Sequence, residues 1–508
     1  MKRRSLASFA CFSLLAASGF AAAHCGSGNP PQPYGVNTGI NVILPPAGDG
    51  GFYQPAGCSY AYNPSRPFLN YALDTATAPD AGAGDPTPQL VRLGLRGDTT
   101  KGATGYADPT TTAAVLWGTA GYNTNARVRF GTSPSALTQT QTGFVYANPA
   151  SALSPEQGSG PMSFHEVDLC GLTPGTTYYY QAGGGAPGQE VWSATQSFTT
   201  VPTTEPITVA VFGDARDTLS TWQLVHERMV DANPAIMLIS GDIVDIGIQE
   251  LLFTNWLSAI WTDPNDATKF LTLGQFIMVP ISGNHENDSM DFFANFPIPG
   301  QGAESQQYAS FDIGNTHFVL IDDNPTANGL PTAAPIVSWV ESDLALADAD
   351  RTKHPFIVTV SHRGMFSTSE HAADSDVLLT RQTFAPIFDK YHVDLVLNGH
   401  DHEYERSYPL NAGSPASGPP VIKSSTSQGT TYVINAGAGA DPYVVGTANA
   451  PYRDGNGTQF GVAPANYLGC YVLLTLSGTT LTLTAHGLIA GGGGVADDPV
   501  IDTITFGQ

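Results

Sequence analysis

The chain has 508 residues, with 20 Lys and Arg against 44 Asp and Glu and a formal net charge of −24. A surface this acidic repels polyanions, which excludes nucleic acid and anionic membranes as partners. The length is enough for two or three domains with apolar cores.

Lys2, Arg3 and Arg4 precede an apolar stretch from Leu6 to Phe20 and then Ala21-Ala22-Ala23. This is the pattern of a secretory signal peptide over residues 1–23 with an A-x-A cleavage site. The run is too short for a membrane anchor, and His24 before Cys25 fits a lipoprotein signal poorly. The expected location is therefore secreted or periplasmic. Cleavage removes Cys11 and leaves Cys25, Cys58, Cys170 and Cys470. An even number in an exported chain favours two disulfides, for which three pairings exist; Cys25 with Cys58 and Cys170 with Cys470 is the pairing favoured here.

Residues 24–85 form a Gly- and Pro-rich extension with little periodicity. From residue 86 to 202 the pattern changes to short alternating runs: Leu90–Leu95, Ala113–Trp117, Ala126–Phe130, His165–Leu169 and Thr177–Ala182. Runs of that length between Gly, Pro and Ser predict a β-sandwich. The three consecutive tyrosines Tyr178, Tyr179 and Tyr180 either pack one strand face inward or offer a carbohydrate-binding surface, and packing is favoured.

A Pro-containing linker, Thr199 to Glu205, leads into residues 203–508, where apolar runs alternate with helical stretches. Phe384, Ile387, Phe388 and Tyr391 make a helical stripe that belongs to a core. Strands alternating with helices predict an α/β architecture, and further strands are expected at Thr430–Asn435, Tyr471–Leu476 and Thr480–Thr484. The loop Gly491 to Gly494 is flexible by composition.

Five of the apolar runs end in short polar signatures. Ile207–Phe212 precedes Gly-Asp-Ala at 213, Ile236–Ile239 precedes Gly-Asp-Ile-Val-Asp at 241, and Phe276–Val279 precedes Gly-Asn-His-Glu at 283. Phe356–Val360 precedes Ser-His-Arg at 361, and Val393–Leu397 precedes Gly-His-Asp-His at 399. One such pair is an ordinary turn. Five in this order deliver Asp, Asn and His to strand ends, where α/β sheets collect ligands, and so predict a site for two metal ions.

These signatures, with Phe311–Asp322 and Lys390–Ser407, resemble the calcineurin-like metallophosphoesterases and, within them, the purple acid phosphatase-like branch. The stretches Gly171–Tyr180 and Trp192–Phe198 resemble the fibronectin type III-like domain that precedes the catalytic domain there. The resemblance covers roughly residues 86–480 and implies a four-layer α/β/β/α catalytic domain after the β-sandwich. It implies that Asp242 bridges two ions, divalent or mixed-valence Fe, Zn or Mn. Asp214 and His402 would bind the first; Asn284, His362 and His400 would bind the second. A metal-bound hydroxide would then attack phosphorus in small-molecule phosphate monoesters.

The chain departs from the family at the first metal. Arg216 stands where general metallophosphoesterases have His, and Asp245 where purple acid phosphatases have Tyr, so the enzyme is expected to be colourless. Asp245 either coordinates the first metal, accepts a hydrogen bond beside it or is a turn residue. Arg216 cannot coordinate; it contacts substrate phosphate or pairs with Asp217 or Asp245. His371 and His285 are the candidate proton donors to the leaving group, and Asn284 also faces substrate. His165, His226, His317, His354, His392 and His486 lie away from the signatures and are expected to be structural. The alternatives are a phosphodiesterase or nucleotide pyrophosphatase on the same site, or a catalytically impaired cell-surface binding protein.

Overall fold

The computed structural model describes residues 41–43, 53–62, 85–96, 108–120, 125–148, 162–186, 188–261, 273–299, 307–331, 333–413, 419–443, 446, 449–454, 467–490 and 496–507. The expected signal peptide, Cys25 and the Gly491 to Gly494 loop lie outside them.

The N-terminal part is built from two antiparallel sheets. One runs Asn41–Ile43, Phe144–Asn148, Met162–Leu169, Ala113–Ala120, Gln89–Gly94; the other runs Gln196–Thr199, Thr177–Gly184, Arg127–Gly131, Gln139–Thr142. Their inward residues, among them Val115, Trp117, Val128 and Val167, share one apolar core. Alternation along Thr177–Gly184 turns Tyr178 and Tyr180 inward, 5% and 0% exposed, so this strand packs as a sandwich strand does. Parts of the 24–85 extension join the sandwich. Asn41–Ile43 adds an edge strand, and Tyr60 and Tyr62 donate to the buried Asp168 at 3.0 and 2.7 Å.

The cysteines correct the favoured pairing. The disulfide joins Cys58 to Cys170, whose Cα atoms are 5.2 Å apart. Cys170 is taken by Cys58, and Cys470 sits within the strand Tyr467–Ser477 of the other domain as a buried thiol outside the disulfide, donating to Ala436 O at 3.1 Å.

The C-terminal part holds two mixed sheets. The first is ordered Met278–Pro280, Ile236–Ile239, Ile207–Phe212, Tyr467–Ser477, Thr480–Ala490, with Val500–Gly507 also paired to Thr480–Ala490. The second is ordered Tyr308–Ile313, Thr316–Ile321, Phe356–Val360, Leu395–Asn398, Thr431–Asn435, Tyr404–Arg406. Alternate residues of the second sheet split between two cores. Phe318, Leu320, Val358, Val360, Leu395 and Leu397 pack toward the first sheet. Val319, Ile321, Ile357 and Val396 pack with Ile336, Val340, Phe384 and Phe388 of the helices Ala333–Ala349 and Ser375–Lys390. On the far side, Trp222 of the helix Leu219–Asp231 stacks on Phe212 and Trp256 at 4.9 and 4.5 Å. Helix, sheet, sheet and helix thus form successive layers, with both inner faces buried in one core.

The two parts are docked by buried polar contacts. Arg92 of the sandwich donates to Asn295 O and Oδ1 at 2.6 and 3.0 Å, and Tyr180 donates to Gly274 O at 2.7 Å. No helix among the described residues is long and apolar enough to cross a membrane.

Candidate metal centre

Three of the five signature strands belong to the first sheet and two to the second, so the signatures meet where the two sheets' strand ends face one another. At these ends the chain must reverse sharply while aiming a side chain back into the cleft. Asp214, Asp242 and His400 accordingly adopt left-handed backbone with φ of 55°, 53° and 77°. For residues with a Cβ that conformation costs about 1 kcal/mol or more each, strain that folded proteins keep mainly at working sites. The neighbouring glycines are needed for a different reason. A Cβ on Gly283 would collide with Asp242 Oδ1, and one on Gly399 with Asp214 Oδ2.

The side chains converge in two groups that share Asp242: Asp214, Asp242 and His402 in the first, and Asp242, His362 and His400 in the second, all buried. In the second, Asn284 Oδ1 lies 2.8 Å from both His362 Nε2 and His400 Nδ1, which are 3.3 Å from one another. Asp242 Oδ1 is 3.3 Å from His362 Nε2. Donor atoms held about 2.0–2.2 Å from one cation stand roughly 3 Å apart, so this spacing suits a transition-metal ion. In the first, Asp214 Oδ1 is 3.5 Å from His402 Nε2. The rings are oriented from behind: His362 Nδ1 donates to Ser240 O and His402 Nδ1 to Asp441 O, each at 2.7 Å. That fixes the tautomer and turns each Nε2 lone pair inward, as in ligating histidines.

Electrostatics favour positive charge here. Burial pushes the Asp214 carboxyl up to about 8. Burial also opposes charge on Asp242, yet His362 and His285 outweigh it and hold that carboxyl well below the usual range. Burial lowers His362, but Asp242 and then Asp214 reverse this and raise it to about 10.

The remaining predicted residues sit around the mouth. Arg216 NH1 contacts both Asp217, at 3.0 Å, and Asp245, at 3.2 Å. Asp245 is 54% exposed and belongs to neither ligand group. Its carboxylate is turned toward Arg216 and toward His285 Nδ1 at 3.4 Å, and these two cationic partners hold it at the rim. His285 Nδ1 donates to Asp245 O at 2.7 Å, and its Nε2 is 3.8 Å from Asp242 Oδ2. Burial lowers His285, but Asp242 and Asp245 prevail and raise it to about 9. His371 Nδ1 pairs with Asp374 Oδ2 at 2.9 Å, and its ring lies 4.5 Å from that of His400. The other histidines are elsewhere: His165 stacks on Trp117 at 4.9 Å, His317 bonds Asp312 and Asp343, and His486 pairs with Asp498.

Two residues of the centre carry no sequence signal of their role. Glu286 accepts from the backbone N–H groups of Asp242, Ile243, Val244 and Gly283 at 2.7–2.9 Å, stapling two signature loops together. The Glu of Gly-Asn-His-Glu marked the motif but not this clamp. Tyr443 stacks on His402 at 3.9 Å and meets His371 edge-on at 5.3 Å; nothing around it in the sequence distinguishes it.

The family described as Purple acid Phosphatase, N-terminal domain matches residues 102–200, and that described as Calcineurin-like phosphoesterase matches residues 207–404. Purple acid phosphatase 15 of Arabidopsis thaliana is 28% identical over 322 residues, covering 56% of this chain and 57% of the relative. Purple acid phosphatase 18 of Arabidopsis thaliana is 26% identical over 310 residues, covering 59% and 64%. The chain therefore spans less than two thirds of the length of these two curated relatives. Among solved structures, purple acid phosphatase PPD1 from yellow lupin (Lupinus luteus) seeds shares the fold, with a TM-score of 0.61 at 18% identity over 84% of this chain and 75% of that one.

Proposed function

Because the chain is a calcineurin-like metallophosphoesterase of the purple acid phosphatase-like branch, we propose that it is an exported dinuclear-metal phosphoesterase acting on small-molecule phosphate monoesters. The observation that carries this reading is the pair of buried ligand groups sharing one carboxylate, Asp242. Two cations held by these groups would supply Lewis acidity toward phosphoryl oxygens and a water activated near neutral pH. Asp214, Asp242 and His402 would hold the first ion, and Asp242, Asn284, His362 and His400 the second. The neutral amide of Asn284 and the neutral imidazoles leave most of the ions' charge for the substrate. This local charge offsets the repulsion that a chain of net charge −24 would otherwise exert on an anionic ester.

Arg216 and His285 at the mouth offer cationic donors to the phosphoryl oxygens. Proton delivery to the leaving alkoxide falls to His371, which Asp374 orients through Nδ1 so that Nε2 serves the cleft. The test is hydrolysis of a chromogenic monoester and diester by chelator-stripped protein reloaded with Zn, Mn or Fe. Monoester turnover well above diester, restored only by metal, is expected. Diester turnover in excess would move the assignment to a phosphodiesterase, and protein that stays inert to both esters after reloading would mark a binding protein.

A further inference from the structure

The first ligand group already has a cation facing it. Arg216 Nε stands 3.6 Å from Asp242 Oδ2, and Arg216 NH2 stands 3.4 Å from His402 Nε2. These residues supply two of the three ligands of the first group. His402 spends its Nδ1 proton on Asp441 O, so the nitrogen that meets the guanidinium carries the lone pair a metal would need. The Arg216 side chain is only 10% exposed, and its Nε has no hydrogen-bond partner of its own.

We propose that Arg216 competes with metal for the first ligand group, so that the two cations load in a fixed order: the second group tightly, the first group last and weakly. This rests on the two-cation reading above. An ion bound about 2.1 Å from His402 Nε2 would lie no more than about 5.5 Å from Arg216 NH2, by the contact already given. Two positive charges that close in a buried cleft repel, so occupancy by either weakens the other.

Beside His362 of the second group the guanidinium is engaged elsewhere. Arg363, the guanidinium behind it, is turned away and bonds Asp323, Asn324 and Asp376 at 2.6, 3.0 and 2.9 Å. The first group is also short of ligands, because Asp245 is engaged with Arg216 and His285 at the rim. Asp217 and Asp245 grip NH1, which gives the guanidinium somewhere to stay when an ion displaces its other nitrogens. Those released donors then face incoming phosphoryl oxygens. Arg216 thus makes the catalytically complete state depend on free metal concentration.

The test is calorimetric titration of Zn²⁺ into the chelator-stripped full chain, comparing wild type with Arg216→Met and Arg216→Gln, each checked for a native melting transition. Wild type is expected to bind two ions in steps at least tenfold apart. In both neutral variants the weaker step should tighten at least tenfold while the tighter step stays put. Two ions bound with an unchanged gap in the variants would overturn the competition and leave the two-cation reading intact. No more than one ion in wild type and in both variants would overturn both.

Discussion

His362, His402 and His371 are each fixed by a bond on the side away from the cleft, to Ser240 O, Asp441 O and Asp374. In the first two this leaves the Nε2 lone pair facing the cleft, as the proposed ligand role requires; His371 is paired with a carboxylate instead, as its proposed role of acid requires. His371→Asn is expected to lower kcat about 10²–10³-fold for an alkyl phosphate. The loss should be much smaller for a nitrophenyl ester, whose leaving group needs no proton. Equal losses for both esters in steady-state kinetics would contradict the role of acid. At this scale the sequence made the ligand types readable, because Asp, Asn and His at strand ends have few other uses in such number. It could not settle Arg216 or Asp245. Their partners come from separate loops, 29 residues apart in the case of this pair, and only the folded geometry decides which acceptor a guanidinium meets.

Among the elements, the loop after Ile236–Ile239 depends on the loop after Met278–Pro280, through the four N–H groups that converge on Glu286. In Glu286→Gln an amide NH₂ must oppose either the donors that reach Oε2, from Asp242 and Gly283, or those that reach Oε1, from Ile243 and Val244. Buried donors left unpaired cost about 1–3 kcal/mol each. The variant should melt earlier and retain less metal after dialysis; unchanged melting and metal content would contradict the clamp. A second consequence concerns the strands Tyr308–Ile313 and Thr316–Ile321, where the buried His317 lies between Asp312 and Asp343. Burial lowers its pKa, but the hydrogen bonds that its ring donates to both carboxylates prevail and raise it to about 9. Its folded value exceeds its unfolded value of about 6.5, so its stabilisation is full below that pH and is lost as pH rises toward 9. The difference is worth about 3 kcal/mol. Chemical denaturation from pH 6.5 to 9 should show this decline in wild type and not in His317→Gln; parallel slopes would refute it. The buried strands were legible from their β-branched runs. Gln139–Thr142 was not, since Gln-Thr-Gln-Thr has no apolar residue and forms only because it pairs at the sheet edge with Arg127–Gly131.

For the whole molecule, two domains and their order were readable from the change between short alternating strands and strand–helix alternation. The way they join was not. Arg92 lies within an apolar run yet is buried on Asn295, more than 200 residues away, and a pattern along the chain carries no trace of such docking. The disulfide is a similar case: Cys470 became unavailable once its strand entered the catalytic core. What the architecture accomplishes is to bring five strand ends from two sheets around one carboxylate. The most direct test is elemental analysis of purified wild type beside Asp242→Asn, with monoester turnover measured on the same samples. Wild type should hold close to two ions per chain when metal is in excess, and the variant should lose bound metal and turnover together. Retention of both metal and turnover by Asp242→Asn would contradict the bridged centre.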